Sequence, residues 1–290
     1  MNASFEWGKR TYIMGILNVT PDSFSGDGLL ARPDYVEAAV EQARRFVEAG
    51  ADILDVGGES TRPGSQPVSA ADEIGRVLPV IEALHAANLG AALSLDTSKA
   101  MVAEAALKIC PLWINDVWGL RADPRLGEIA ARSEGPLVLM HNRSRPESVE
   151  LQARLGGRFL GSHYENLIED VRRELLESVA LANAAGVSGA NIILDPGLGF
   201  GKSVAQNLEL IDRLGEIRSL GYPVLIGPSR KSFIGYTLDL PPDQRLEGTA
   251  AAVAVGIVRG ADVVRVHDVE AMVRVARMTD AIVRHSSRTS

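Results

Sequence analysis

The chain has 290 residues, 46% of them apolar and 23% charged, with 30 basic against 37 acidic side chains for a formal net charge of −7. So much apolar material supports a large core and excludes wholesale disorder, while the negative balance argues against nucleic acid as a partner. A single cysteine, Cys110, excludes an internal disulfide and a cysteine-based zinc cage and fits a reducing, cytoplasmic setting.

Residues 1–10 hold no apolar run like a signal core, and no stretch approaches the ~20 apolar residues of a membrane helix. No linker or composition break divides the chain. One domain over 1–290 is expected, with an ordered core from 10 to 284 and a short polar tail.

Read in chain order, short continuous apolar runs predict strands at 12–17, 53–56, 92–95, 112–114, 137–140, 192–194, 224–226 and 263–266. Helical patterns fall between them, among others at 33–49, 70–88, 164–185, 207–220 and 246–259. Unbroken apolar strands are those buried on both faces of a parallel sheet. Eight of them alternating with helices predict an α/β fold, a single (β/α)8 TIM barrel with its active site at the C-terminal ends of the strands. The joints Gly50-Ala51-Asp52, Gly189-Ala190-Asn191 and Gly260-Ala261-Asp262 each precede a run, and glycine is expected there as a left-handed helix stop.

Polar residues gather where the strands end: Asn18, Asp55, Asp96, Asn115, Asp116, His141, Asp195, Ser229, Lys231, Arg265 and His267. Burying that many polar groups at strand ends without partners would be costly, so a site is expected there. Asp96, Asn115 and Asp195 could be metal ligands, acid–base groups or acceptors for a ligand's N–H groups. No histidine-rich spacing accompanies them, which disfavours a tight transition-metal site. Arg62, Lys231, Arg265 and His267 could together hold a small anion. The loop DPGLGFGKS at 195–203 is glycine-rich, but Pro196 occupies the position where a P-loop needs its first glycine, so an ATPase is disfavoured. Lys202 reads as a solvated residue at a helix start, and Cys110 as a small buried hydrophobe.

The segments MGILNVTPDSF at 14–24, GADILDVGGESTRPG at 50–64, Asp96-Thr97, Ile114-Asn115-Asp116, DPGLGFGK at 195–202, GPSRKSFIG at 227–235 and VVRVHD at 263–268 together resemble the dihydropteroate synthases, the pterin-binding family of folate biosynthesis. The resemblance spans nearly the whole chain, in order. It implies a transferase that condenses 7,8-dihydropterin-6-ylmethyl diphosphate with p-aminobenzoate, releasing diphosphate, and it implies a sulfonamide target. By the same resemblance Asp96, Asn115, Asp195 and Lys231 would bind the pterin, with Met140 lining its pocket and Arg265 able to stack on it. Asn18 would coordinate Mg²⁺ on the diphosphate, with Thr61, Arg265 and His267 beside that leaving group. Phe24, Arg62, Pro63, Phe200, Lys231 and Ser232 would shape the p-aminobenzoate site. Asp96, Asp195, Lys231, Arg265 and His267 would carry the chemistry. A homodimer is implied too.

Two departures stand out. The family's first loop usually reads Phe-Ser-Asp-Gly-Gly; here Asp27 is displaced by one position. The segment 142–164 is longer than the family's usual loop and has no assigned role. The competing readings are a methyltransferase-type pterin-binding domain, which needs neither the Ser229-Arg230-Lys231 segment nor the Arg265/His267 pair, and a pterin-binding homologue without turnover.

Overall fold

In the computed structural model, residues 5–21, 28–133, 135–145 and 147–284 are described. The chain runs β1 (Tyr12–Asn18), α1 (Tyr35–Ala49), β2 (Ile53–Gly57), α2 (Ala70–Ala87), β3 (Ala92–Asp96), α3 (Ala100–Leu107), β4 (Trp113–Asp116), α4 (Arg125–Arg132) and β5 (Leu137–Met140). After β6 (Val149–Gln152) and β7 (Gly156–Phe159) come α5 (Leu167–Ala184), β8 (Ile192–Asp195), α6 (Val204–Asp212) and α7 (Leu214–Arg218). β9 (Leu225–Ile226), α8 (Ser232–Leu238), α9 (Leu246–Val258), β10 (Val263–Val266) and α10 (Val269–Val283) complete it. Among the described residues the parallel strands pair in the order β8-β5-β4-β3-β2-β1-β10-β9, and a bridge between Leu194 and Val224 closes the ring. This is the expected (β/α)8 barrel. Among the described residues no helix is long and apolar enough to cross a membrane.

Strand periodicity sorts the side chains into two cores. Ile13, Leu17, Leu54, Val56, Leu95, Ile114, Leu137 and Leu139 point outward into the layer shared with the helices, as do Ile192, Leu194, Val224, Ile226, Val264 and Val266. The alternate residues Tyr12, Met14, Ile53, Trp113, Val138, Ile193, Leu225 and Val263 fill the barrel interior. Phe5 and Trp7 pack under this interior core, the Phe5 ring centroid lying 4.8 Å from Tyr12 and 4.9 Å from Trp113. Two residues further along four of these strands, the same inward positions become polar: Asp55 after Ile53, Asn115 after Trp113, Asp195 after Ile193 and Arg265 after Val263. A side-chain period of two thus builds an apolar floor and a polar mouth from one set of strands.

Local backbone chemistry starts and stops the helices. Ser69 caps α2 by accepting from the Asp72 N–H at 3.1 Å, and Ser203 and Gln206 form a capping box on α6. Gly50 and Gly260 are left-handed, with φ of 108° and 105°. The third joint is not of this kind: α5 ends earlier, its left-handed residue is Gly186 at φ 95°, and Gly189 opens a 3-10 turn capped by Ser188. The helix expected over 207–220 is two helices, α6 starting at Val204 and α7 ending at Arg218, broken at Arg213. Segment 142–164, without a role in the sequence, contains the antiparallel hairpin β6–β7.

Candidate active site

Asp55 is fully buried and accepts three hydrogen bonds, from Ser94 Oγ at 2.5 Å, Asn115 Nδ2 at 3.0 Å and Arg265 Nε at 2.6 Å. Arg265 also donates through Nη2 to Asp96 Oδ2 at 2.7 Å, so its planar fork spans two carboxylates from adjacent strands. Burial, together with the like charge of Asp55, pushes the Asp96 carboxyl up to about 7 in spite of Arg265.

On the other side of the mouth, Asp195 Oδ1 accepts the Gly197 N–H at 2.7 Å, and burial raises its pKa. Lys231 Nζ donates to the Leu198 carbonyl and lies 4.5 Å from the centroid of the Phe200 ring. Burial brings its ammonium down to about 8. After these internal bonds Asp96 Oδ1, the Asn115 amide oxygen and Asp195 Oδ2 have no hydrogen bond among the described residues. All three are acceptors, so a flat ligand seated among them has to present N–H donors.

The glycines of the 195–203 loop serve backbone approach. A Cβ on Gly197, at φ +71°, would stand 1.9 Å from the His141 carbonyl oxygen, and one on Gly201, at φ +65°, would stand 2.3 Å from the Arg143 carbonyl carbon. The loops after β5 and β8 therefore interlock. Lys202 corrects the sequence expectation: it is 2% exposed, with Nζ donating to the carbonyls of Gly197 at 2.8 Å and Phe200 at 3.1 Å, and 3.0 Å from His141 Nδ1. Its place at the start of a helix concealed that it turns back under the loop.

Burial and the neighbouring Lys202 drive the His141 imidazole down to about 3, so it is neutral. Its Nε2 lies 3.1 Å from Glu174 Oε2. The assignment that satisfies this chain is Lys202 donating to Nδ1 and Nε2–H donating to Glu174. Burial would raise the Glu174 carboxyl, but His141 and Arg143 hold it well below the usual carboxylate range. Lys202→Met keeps the volume but strips partners from two buried carbonyls and an imidazole nitrogen. A destabilisation of about 2–4 kcal/mol is expected in denaturant melts. The loop that carries Asp195 should also lose order, read as faster amide exchange over 197–201.

The loop after β2 is held from behind. Glu59 Oε1 accepts the Val68 N–H at 3.1 Å, Lys99 Nζ pairs with both Glu59 and the buried Glu73, and Arg76 Nη1 donates to the Gly58 carbonyl at 2.9 Å. Thr61, Arg62 and Pro63 are thereby placed on the cleft wall. Across from them, Ser229 Oγ accepts the His267 N–H at 3.1 Å and lies 3.0 Å from its Nδ1.

One cleft at the C-terminal mouth brings together Asn18, Thr61, Arg62, Pro63, Asp96, Asn115 and Met140 with Asp195, Phe200, Lys231, Ser232, Arg265 and His267. Phe24 and Asp27 lie outside the described residues. Sequence reasoning missed Arg245, which is 3% exposed and lines the cleft, and the hairpin residues Leu155, Gly156, Gly157 and Phe159. The glycine pair at 156–157 inside an alternating stretch was the available turn signal. For Arg245 the sequence held none.

A closed α/β barrel whose mouth sets hydrogen-bond acceptors beside buried cations defines a barrel enzyme for a small, flat, donor-bearing and partly anionic substrate. The chain belongs to the pterin binding enzyme family, whose model matches residues 14–267. It is 47% identical over 281 residues to a dihydropteroate synthase of Clostridium beijerinckii, covering 97% of each chain. It is 46% identical to one of Bacillus subtilis over 97% of this chain and 91% of the other. Among solved structures it superposes with a TM-score of 0.85 on a Clostridium difficile dihydropteroate synthase determined in the presence of pteroic acid, at 45% identity over 97% of this chain and 100% of that one. A Xanthomonas albilineans dihydropteroate synthase with 4-aminobenzoic acid gives 0.83 at 41% identity, covering 94% and 93%.

Proposed function

We infer that this chain is a dihydropteroate synthase, a transferase joining 7,8-dihydropterin-6-ylmethyl diphosphate to p-aminobenzoate. The observation that carries the reading is the set of three acceptors, Asp96 Oδ1, the Asn115 amide oxygen and Asp195 Oδ2, left without a hydrogen bond among the described residues in a mouth that also holds Lys231, Arg265 and His267. A pterin edge is rich in N–H donors and matches such a set. Identity above 40% to dihydropteroate synthases over most of both chains supports the same conclusion.

In this reading Asp96, Asn115 and Asp195 hold the pterin ring, Met140 packs against it, and Lys231 borders both substrates. Arg265 Nη1 makes no hydrogen bond among the described residues and, with His267 and Thr61, takes the charge that develops on the leaving diphosphate. The carbon–oxygen bond to diphosphate breaks with its electron pair leaving on oxygen. The amine nitrogen then forms the carbon–nitrogen bond, and its surplus proton passes to solvent. Arg62, Pro63, Phe200 and Ser232 bound the p-aminobenzoate end.

Among the described residues no group of three histidine, cysteine, aspartate or glutamate side chains could cage a metal. Mg²⁺ is commonly held by substrate phosphate and water with one or two protein oxygens, and the half-buried Asn18 at the cleft fits that mode. When bound, the ion would neutralise diphosphate charge. We therefore expect diphosphate release from pterin diphosphate and p-aminobenzoate in Mg²⁺, lost with EDTA and regained on adding Mg²⁺ back. Pterin binding without any diphosphate release would overturn the enzyme reading.

A cytoplasmic setting suits the one buried thiol, Cys110. The exposed apolar residues Val255 and Val258 on α9 and Met278 and Ile282 on the adjoining α10 support a homodimer through that face.

A further inference from the structure

The hairpin β6–β7 projects from the loop after β5 and is stapled to three other loops of the mouth. At its tip, the Leu155 carbonyl accepts from Arg245 Nη2 at 2.8 Å, while the same guanidinium bonds the carbonyls of Leu240 at 3.1 Å and Arg230 at 2.9 Å. Next to it, Arg154 Nη1 donates to the Asp239 carbonyl at 2.7 Å. Along one flank Arg158 lies 4.0 Å over the Tyr236 ring of α8, its charge met by Glu150 on the partner strand at 2.6 Å. On the other face Phe159 stacks on Phe200 with ring centroids 6.2 Å apart, and Gly157 sits so close to Pro63 that an added Cβ would come within 3.1 Å of it. At its base the Ser162 N–H donates to the Gly201 carbonyl at 2.9 Å.

An isolated two-stranded hairpin is marginal in water, so these staples are what define its position. They join it to the loops after β2, β8 and β9, which are the loops bounding the p-aminobenzoate end in the function proposed above. Leu155, Gly157 and Phe159 line the cleft there. Arg245 adds a buried cation that forms no ion pair among the described residues.

We propose that this hairpin is a specificity-determining wall: it closes the cleft beyond the acid group of the arylamine, admitting a compact 4-aminobenzoate and rejecting arylamines extended through that acid as amides. The inference rests on the dihydropteroate synthase reading. An aromatic pair backed by fixed main chain discriminates by steric exclusion, and a clash with a packed wall cannot be relieved as cheaply as one with a mobile loop.

The test compares kcat/KM for p-aminobenzoate with that for N-(4-aminobenzoyl)glycine, using the same pterin diphosphate. The Leu160 N–H donates to the Ser148 carbonyl at 2.8 Å, so a short Gly-Ser link can replace 149–159 without moving the ends. In the intact enzyme p-aminobenzoate should be preferred by at least about 100-fold, a discrimination of roughly 2.7 kcal/mol. The hairpin replacement should cut the preference at least tenfold, mainly by admitting the extended amine. Phe159→Ala, which keeps the main chain, should cut it at least threefold while still melting cooperatively, and decides the matter if the replacement does not fold. Equal use of both amines by the intact enzyme, or an unchanged preference in the folded variants, overturns the wall. No dihydropteroate from p-aminobenzoate in the intact enzyme overturns the function instead.

Discussion

Arg265→Met is expected to lower kcat/KM for the pterin diphosphate by on the order of 10³ and to lower affinity for the free pterin far less, because a donor aimed at a developing charge acts mainly in the transition state. It should also destabilise the fold. The substitution leaves Asp55, with no exposure, and the buried Asp96 without the cation between them. Breaking a buried pair on one side costs about 3–5 kcal/mol, and in a chain of this size the thermal midpoint should drop by roughly 5–8 °C. The double variant Arg265→Met/Asp96→Asn should recover part of the stability and none of the activity, since it removes one of the stranded charges. Calorimetry and diphosphate release separate the two effects. Equal losses for diphosphate and free pterin would mean that Arg265 does not meet the leaving group.

Asp96→Asn should weaken pterin binding by on the order of 10², because an amide placed where a carboxylate accepts N–H groups offers a donor to a donor and loses the charge-assisted bond. Its effect on the unliganded fold runs the other way. Folding raises the Asp96 pKa to about 7, so its ionised form is the one that folding disfavours. Its contribution to stability is fully present below the ordinary carboxylate pKa of about 4 and is lost as pH rises through about 7. The melting midpoint of Asp96→Asn relative to the parent should therefore climb between pH 5 and pH 8. A flat difference across that range would remove the claim of an elevated pKa, and unchanged pterin affinity by titration calorimetry would remove Asp96 from the pterin wall. A residue that costs stability when ionised and binds ligand through that ionised form is a trade of stability for function.

Much of the barrel was legible in the residues themselves. All eight strand segments were apparent because a strand buried on both faces must be apolar throughout, and residues such as Asp96 and Arg265 stood out as polar interruptions of that pattern. The residue types of the site could be read for the same reason: a carboxylate or guanidinium at the end of a buried strand requires a partner. Three things could not be read. Lys202 looked solvated because helix starts are usually exposed, and only the turn of the 195–203 loop brings its Nζ under Gly197 and Phe200. The role of Arg245 depends on three carbonyls, at 155, 230 and 240, the first of them 90 residues away in sequence. The hairpin is stabilised by staples to other loops rather than by its own short strands.

Composition, the apolar runs and the polar residues that end them determined an α/β barrel carrying a negative surface and a local anion-and-heterocycle site. Tertiary structure decided which of two equally apolar strand faces looks inward, and with it which polar groups meet. A continuous apolar run has no preferred side. Closure of the ring, with Met14 paired to both Ile53 and Arg265 and Asp96 to Asn115, is what directs alternate side chains to the axis and brings Arg265 between Asp55 and Asp96 from 210 and 169 residues away.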